Sequence, residues 1–290
     1  MINLKKKLVE WASGLDIDRD YSDDFIVDPK GKKNLVICLG DSWTWGDSLP
    51  EESREQQIYG RLISNEFDAD FINVGCRGFS NSWILLVGEQ ILHYLKKDIS
   101  KYQKIYVIVT LTETARDIVT HYSFQFDYID HYEKFGNTEE FYRVLLEKIE
   151  LRWAEQIQNL LGLSDDRFVY FVGQNFVWHP KYDQLPDRVL ITDQNWIEVL
   201  ADYQKLPRPI RTTMVTGWIF DTFKKANDIS GIKDHSIFKE FVLPYIEKAN
   251  LVNQWLDSSN LNGKVASKHP NAVGHRLWAE HIINRLKTIS

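Results

Sequence analysis

The stretch NLVICLGDSWTWGDSLP, residues 34–50, contains the strand and turn that decide the fold. Its first seven residues form an apolar run that is rich in branched side chains and ends in glycine, a pattern typical of a buried parallel strand. The tripeptide Gly-Asp-Ser then occurs twice, with its serines at Ser42 and Ser48. The segment predicts a central strand and raises the question of which serine could be a nucleophile.

Similar apolar runs recur along the chain, and helical patterns separate them. We predict further strands at 71–75, 104–110, 167–173 and 188–192, and helices at about 53–67, from Asn81, around Leu145 to Leu161 and from Pro270 onward. Alternating strands and helices indicate the doubly wound α/β class, a parallel sheet of about five strands with helices on both faces. Ligands of such sheets bind at the carboxyl ends of the strands.

Two regions, at about 111–137 and 174–235, interrupt this alternation as insertions. In the first, aromatic residues occupy every second position from Tyr122 to Tyr128, so one face of an extended segment is aromatic. That face is either a small packing strand or the wall of a substrate pocket. We expect a single domain over residues 1–290, because no repeat or flexible linker divides the chain.

Composition limits the classes of partner. The chain is 43% hydrophobic and carries a formal net charge of −6, so we expect neither nucleic acid nor an anionic membrane as a partner. The sequence shows no signal peptide and no long apolar segment, which predicts a soluble, cytoplasmic protein. Cys38 and Cys76 fall in strands or strand ends, so we expect buried thiols. No residue pattern requires a metal or an organic cofactor.

Position distinguishes the two serines of the opening stretch. Ser42 lies two residues beyond the strand, whereas Ser48 lies six residues further on, just before Pro50. A nucleophile has to be held rigidly against its base and its oxyanion donors, and a strand end does this better than a loop. We therefore predict Ser42 as the nucleophile, although a serine in this place is more commonly a cap or turn residue.

The next two strands end in residues that suit an oxyanion hole. Gly75 and Gly78 follow the second strand, and a glycine amide in a sharp turn can donate to a developing oxyanion. Thr112 and Glu113 follow the third strand at the same edge, and Thr112 offers a hydroxyl as a second donor. Each segment is equally typical of a turn that caps the following helix.

The base is expected to be a histidine, because only its pKa lies near neutral pH without help. His269 stands directly before a Pro-Asn pair that marks a helix start and fixes its orientation. His275 and His281 fall within that helix, where structural hydrogen bonds are expected. His179, in a less regular segment, is a weaker candidate.

Three of these segments together resemble known sequence blocks. GDSWTWG at 40–46 is similar to the first block of the SGNH (GDSL-type) hydrolases, Gly-Asp-Ser-x-Thr-x-Gly directly after the first strand. NVGCRGFSN at 73–81 resembles their second block, and HPNAVGH at 269–275 resembles their last. The resemblance implies a flavodoxin-like form of the doubly wound sheet and a serine esterase that needs no cofactor.

The resemblance also implies a role for each candidate. Ser42 would be the nucleophile and His269 the base. The second Gly-Asp-Ser copy, at 46–48, would then be a chance repeat of the tripeptide without a catalytic role. The amides of Ser42 and Gly78, with a side chain from the third block, would form the oxyanion hole. Thr112 stands at the position of that third donor.

The chain departs from the family pattern in two places. The third block usually carries an asparagine as a donor, where this chain has the shorter Thr112. The family commonly has an aspartate two or three residues before the last-block histidine, where this chain has Ala266 and Ser267. A Ser-His dyad, a backbone carbonyl or another carboxylate, such as Asp257, would have to substitute. Losing the orienting acid of a triad slows it by as much as about 10⁴-fold.

Two hypotheses follow for function. The first is a serine esterase or acyltransferase that acts on a small-molecule or carbohydrate ester, with acetyl groups on a carbohydrate as the preferred substrate. Asp41, Trp43, Trp45 and Glu113 would then line the substrate site, the tryptophans by stacking on a sugar or packing on an acyl chain. The second is a binding or structural module that has kept the fold and lost the chemistry.

Overall fold

The structure, a computed structural model, describes residues 3–15, 21, 24–47, 49–112, 152–175, 187–192, 194–205 and 269–289. These ranges contain the following strands and helices. In chain order they are α1 (Leu4–Leu15), β1 (Ile26–Asp28), β2 (Asn34–Gly40), α2 (Ser42–Trp45), α3 (Arg54–Gln57), α4 (Tyr59–Glu66), β3 (Ala69–Gly75), α5 (Asn81–Leu95), β4 (Lys104–Leu111), α6 (152–162), β5 (Phe168–Gln174), β6 (Val189–Ile191), α7 (Trp196–Gln204) and α8 (Ala272–Leu286).

The described strands form one six-stranded sheet in the order β1-β3-β2-β4-β5-β6. The strands β2 to β6 are parallel to their neighbours, whereas β1 pairs antiparallel with β3 at the edge. The predicted α/β class and mostly parallel sheet are therefore confirmed. Numbered along the chain, the five parallel strands have the order 2-1-3-4-5, which is compatible with a flavodoxin-like fold.

The sixth strand, β1, is absent from the sequence prediction. It has only three residues, Ile26–Asp28, which pair with Phe71 to Asn73 of β3. Three residues are too few to show an alternating pattern, so the pairing with β3 is what defines them as a strand.

β2 lies inside the sheet and is buried on both faces. Leu35, Ile37 and Leu39 belong to the apolar core that α1, α5 and α6 complete on one face. Val36 and Cys38 belong to the core that α4, α7 and α8 complete on the other. Helices thus pack on both faces, which explains why this strand reads as a continuous apolar run.

The helix predicted at about 53–67 is divided into α3 and α4. Ile58 between them is extended, with φ −62° and ψ 143°. The Tyr59 N–H donates to Nδ1 of His275 at 3.2 Å, a contact that spans 216 residues. A distant side chain thus takes the place of a local helical acceptor, and a local pattern cannot predict such a break.

Other elements predicted from the sequence fall only partly within the residues that the structure describes. Trp153 and Ile157 of the long predicted helix are buried in α6, while its start at Leu145 lies outside the described residues, as do nearly all of the first insertion and most of the second. The apolar face predicted for the last helix is buried in α8. Cys38 and Cys76 are buried and form no disulfide, as predicted. Among the helices that the structure describes, none is long and apolar enough to cross a membrane.

Gly60 provides a test of the packing of α4 on the sheet. A Cβ atom at this position would lie 2.6 Å from Sγ of Cys38 and 2.8 Å from the ring of Phe71. We expect Gly60→Ala to lower the free energy of unfolding by about 1–2 kcal/mol, because the overpacking outweighs the gain in helix propensity. Urea denaturation followed by circular dichroism measures the change.

Gly14→Ala in α1 is the matched control. A Cβ atom on Gly14 meets no other atom within 4 Å. The same chemical change should therefore raise the free energy of unfolding by up to about 1 kcal/mol. Equal effects of the two substitutions would contradict the close approach of α4 to β2 and β3.

Candidate active site

Ser42 lies at the point where the strand order of the sheet reverses. β3 and β4, the next two parallel strands along the chain, lie on opposite sides of β2. β2 ends at Gly40, and Ser42 opens α2 directly after it with 4% of its surface exposed. In doubly wound sheets the crevice at such a point is the usual ligand site. The topology therefore places Ser42 where a functional residue is expected.

Two glycines allow α2 to pass closely over the strand ends. A Cβ atom on Gly40 would lie 1.9 Å from Oγ1 of Thr44, and one on Gly75 would lie 2.4 Å from the backbone nitrogen of Trp45. Neither position has room for a side chain. The turn that presents Ser42 thus depends on glycine at the ends of two neighbouring strands.

Ser42 and His269 are brought into contact. Oγ of Ser42 lies 2.8 Å from Nε2 of His269, a hydrogen-bond distance, although 227 residues separate them. His269 precedes α8, whose N-cap Asn271 accepts a hydrogen bond from the Gly274 N–H at 3.0 Å. The ring centroid of His269 lies 6.3 Å from that of Trp43. The helix start predicted from the sequence therefore positions the predicted base beside the predicted nucleophile.

Asp41 is fully buried, and its carboxylate bonds to the protein itself. Oδ1 accepts hydrogen bonds from the Trp43 N–H at 3.0 Å and from Nδ2 of Asn175 at 2.9 Å. Oδ2 accepts from the hydroxyl of Thr112 at 2.7 Å. Asp41 thus connects the ends of β2, β4 and β5. The prediction that it contacts substrate is corrected to a positioning role.

Thr112 does not provide the oxyanion donor predicted for it. Its hydroxyl has a single proton, which it donates to the carboxylate of Asp41. Its backbone N–H and C=O both bond to the side chain of Asn81, at 2.7 and 3.0 Å. The prediction is wrong because a charged acceptor lies within reach and forms the stronger hydrogen bond.

Two backbone amides remain as candidate oxyanion donors. Gly78 is exposed and has φ +82°, a conformation that favours glycine. Within the described chain, the N–H groups of Ser42 and Gly78 make no hydrogen bond. The Gly75 N–H, in contrast, donates to Oδ1 of Asn73 at 3.2 Å. This difference favours Gly78 over Gly75 as the donor from the second block.

Trp43 belongs to the core. It is 1% exposed, and its ring packs edge-on against Trp196 with 5.2 Å between centroids. The prediction that it contacts substrate is therefore corrected, because its ring faces other aromatic side chains. Its ring instead packs beside the ring of His269, the proposed base.

Trp45 lies partly buried beside the site, and two arginines cover its ring. The Cζ atoms of Arg54 and Arg77 lie 3.7 and 4.5 Å from the ring centroid. These are cation–π distances. A ring that two guanidinium groups cover is not open for stacking on a sugar, so the predicted stacking role of Trp45 is corrected.

Several predicted residues lie outside the described part of the chain. They are Ser48, Glu113, His179, Asp257, Ala266 and Ser267, together with the aromatic segment 122–128.

No protein-family model and no curated protein matches this sequence. The assignment of chemistry therefore depends on the geometry of the site itself. Among the described residues, no group of three or more His, Cys, Asp or Glu side chains could hold a metal ion.

Sequence reasoning missed three polar residues of the site. Asn81 and Asn175 hold Thr112 and Asp41 in place, as described above. Asn175 directly follows β5 at the edge where β4 ends, a signal that was sufficient to find it. Oδ2 of Asp47 lies 3.7 Å from Nε2 of His269. Asp47 belongs to the second Gly-Asp-Ser copy, whose position in a turn gave no reason to place it near the base.

The two histidines within α8 have structural roles. His275 is fully buried and accepts a hydrogen bond from the Tyr59 N–H. Burial, with a smaller effect of charge on His269, lowers the pKa of His275 to about 3, so the ring is neutral at physiological pH. Nε2 of His281 lies 2.8 Å from the hydroxyl of Thr192.

The stability of the protein should depend on the protonation of His275. An unfolded histidine has a pKa of 6.5, against about 3 in the folded protein, so the unfolded state binds more protons between these values. Stability is therefore lost as the pH falls below 6.5. Between pH 7 and pH 5 we expect this group alone to remove about 2 kcal/mol from the free energy of unfolding. Denaturation at both pH values measures the loss, which His275→Gln should abolish; an equal loss in the variant would contradict the assignment.

Substitutions of Thr112 test its assignment as a positioning residue. Thr112→Val removes the hydroxyl and leaves the buried Asp41 carboxylate without one donor, so we expect a loss of about 1–3 kcal/mol in the free energy of unfolding. Thr112→Ser keeps the hydroxyl and should be close to wild type. Denaturation of both variants checks this expectation. A Thr112→Val protein of full stability would show that the hydroxyl is not needed by Asp41.

Proposed function

We propose that the protein is a serine-dependent ester hydrolase of SGNH type. The observation that carries the proposal is the 2.8 Å contact between Oγ of Ser42 and Nε2 of His269 at the carboxyl end of β2. A serine hydroxyl bonded to an imidazole nitrogen is the arrangement that activates serine as a nucleophile. The amides of Ser42 and Gly78 support the proposal as donors to the oxyanion of a tetrahedral intermediate.

The reaction proceeds in two halves. Oγ of Ser42 attacks the ester carbonyl while its proton moves to Nε2 of His269. The bond to the leaving alcohol then breaks, His269 returns the proton to that alcohol, and the acyl group stays on Ser42. Water repeats the attack with His269 as base and releases the acid. An acceptor alcohol in place of water gives acyl transfer, and neither cycle needs a cofactor.

The proposed substrate class is the carboxylic esters. The sequence-based preference for acetylated sugars depended partly on Trp43 and Trp45, and neither ring is open for stacking. The active-site serine itself sets no preference among acyl groups. Aryl esters of short acids and acetylated sugars are therefore screened side by side.

A fluorophosphonate tests the proposal without knowledge of the natural substrate. Oγ of Ser42 would attack phosphorus, fluoride would leave, and the protein would gain the mass of one phosphonyl group. We expect a single adduct on the wild type and none on Ser42→Ala or His269→Ala. Intact-protein mass spectrometry measures the adduct.

Ser48→Ala is the control, because Ser48 has the same two preceding residues as Ser42. It should be labelled like the wild type. A folded wild type that forms no adduct, or an adduct that persists in Ser42→Ala, would contradict the proposal. The first of these outcomes would favour a binding or structural module.

A further inference from the structure

An acidic side chain lies beside the proposed base. Oδ2 of Asp47 is 3.7 Å from Nε2 of His269, and both side chains are mostly shielded, at 25% and 19% exposure. Oδ1 of the same carboxylate lies 3.9 Å from Nη1 of Arg77. The two oxygens are thus divided between the base and a cation.

The backbone directs Asp47 toward this position. Gly46 ends α2 with φ +88°, and the N–H groups of Gly46 and Asp47 both donate to the carbonyl of Ser42, at 3.0 and 3.1 Å. A Cβ atom on Gly46 would lie 2.6 Å from Cγ2 of Ile58. Both the conformation and the lack of space therefore require glycine at position 46. The tight turn brings residue 47 back over the nucleophile.

We propose that Asp47 is the carboxylate that stabilises the imidazolium form of His269 during catalysis. The inference rests on the proposed function, since it concerns the base of that same reaction. Asp47 then supplies the negative charge of the aspartate that the family pattern places shortly before the last-block histidine; because it faces Nε2, the start of α8 rather than Asp47 orients the ring. The two Gly-Asp-Ser copies have complementary roles: the first supplies the nucleophile, and the second supplies the acid.

Asp47 acts on the ring nitrogen that gains the proton. When Oγ of Ser42 attacks, its proton moves to Nε2 of His269, and the new positive charge forms next to Oδ2 of Asp47. The attraction of this carboxylate for the ring is stronger in a partly buried site than in water. Arg77 weakens this attraction by sharing the carboxylate. His275, another titratable group that acts on His269, is neutral at working pH.

The pH dependence of fluorophosphonate labelling tests the proposal. We expect the rate constant to rise with pH as His269 loses its proton and then to reach a plateau. In Asp47→Asn the plateau should fall by about 10- to 100-fold, because the transition state loses a neighbouring charge. The midpoint of the rise should move down by about one pH unit, because the imidazolium is no longer stabilised. A general disturbance of the fold would lower the plateau without this shift.

Three further variants define the comparison. Asp47→Glu keeps the carboxylate and should restore part of the plateau and of the midpoint. Arg77→Gln removes the competing cation and should move the midpoint up. Asp68→Asn is the charge-matched control, because Asp68 lies at the opposite end of β3 and its φ of 45° suits asparagine. It should behave like the wild type.

The outcomes separate the two proposals. If the folded wild type is not labelled, the proposed function fails and the role of Asp47 fails with it. If labelling depends on Ser42 but Asp47→Asn keeps the wild-type plateau and midpoint, only the inference on Asp47 is overturned. If Asp47→Asn does not fold, Asp47→Ser decides: a lower plateau together with a lower midpoint supports the role of Asp47, and the wild-type plateau and midpoint overturn it.

Discussion

The buried carboxylate of Asp41 is the interaction on which the site depends. Its hydrogen-bond donors follow three different strands: the Trp43 N–H follows β2, the Thr112 hydroxyl follows β4, and Asn175 follows β5. A buried charge is tolerated only when such partners compensate for its lost hydration. The buried carboxylate therefore needs all three donors, and the same hydrogen bonds hold the carboxyl ends of β2, β4 and β5 together. Ser42 is the residue between Asp41 and Trp43, so its position follows from this arrangement.

The fold was readable from the sequence wherever burial produces a local pattern. β2, β4 and β5 are almost wholly apolar runs because helices cover both faces of the sheet, and α8 shows its buried face as a stripe. The predictions failed where a distant contact decides the structure. β1 is a strand because β3 pairs with it, and the break at Ile58 exists because His275 accepts the neighbouring N–H.

The same difference between local patterns and distant contacts explains which residues of the candidate site could be predicted from the sequence. Ser42 and His269 could be found because a strand end and a helix start are local features. The partner of a buried polar side chain is not a local feature: Thr112 was read as an oxyanion donor, yet its proton goes to an acid 71 residues away. Composition likewise cannot tell a tryptophan of the core from one of a pocket wall. Trp43 was misread for that reason.

The separation of Ser42 and His269 by 227 residues has a consequence for synthesis. Domains acquire structure as the chain is made from its N-terminus. The strand and turn that carry Ser42 leave the ribosome first, and His269 follows 227 positions later, directly before the helix that orients it. Closing so long a loop is a slow, non-local event. The serine thus gains its imidazole only after His269 has been made, and a chain that stops before this residue holds the hydroxyl in an inactive form.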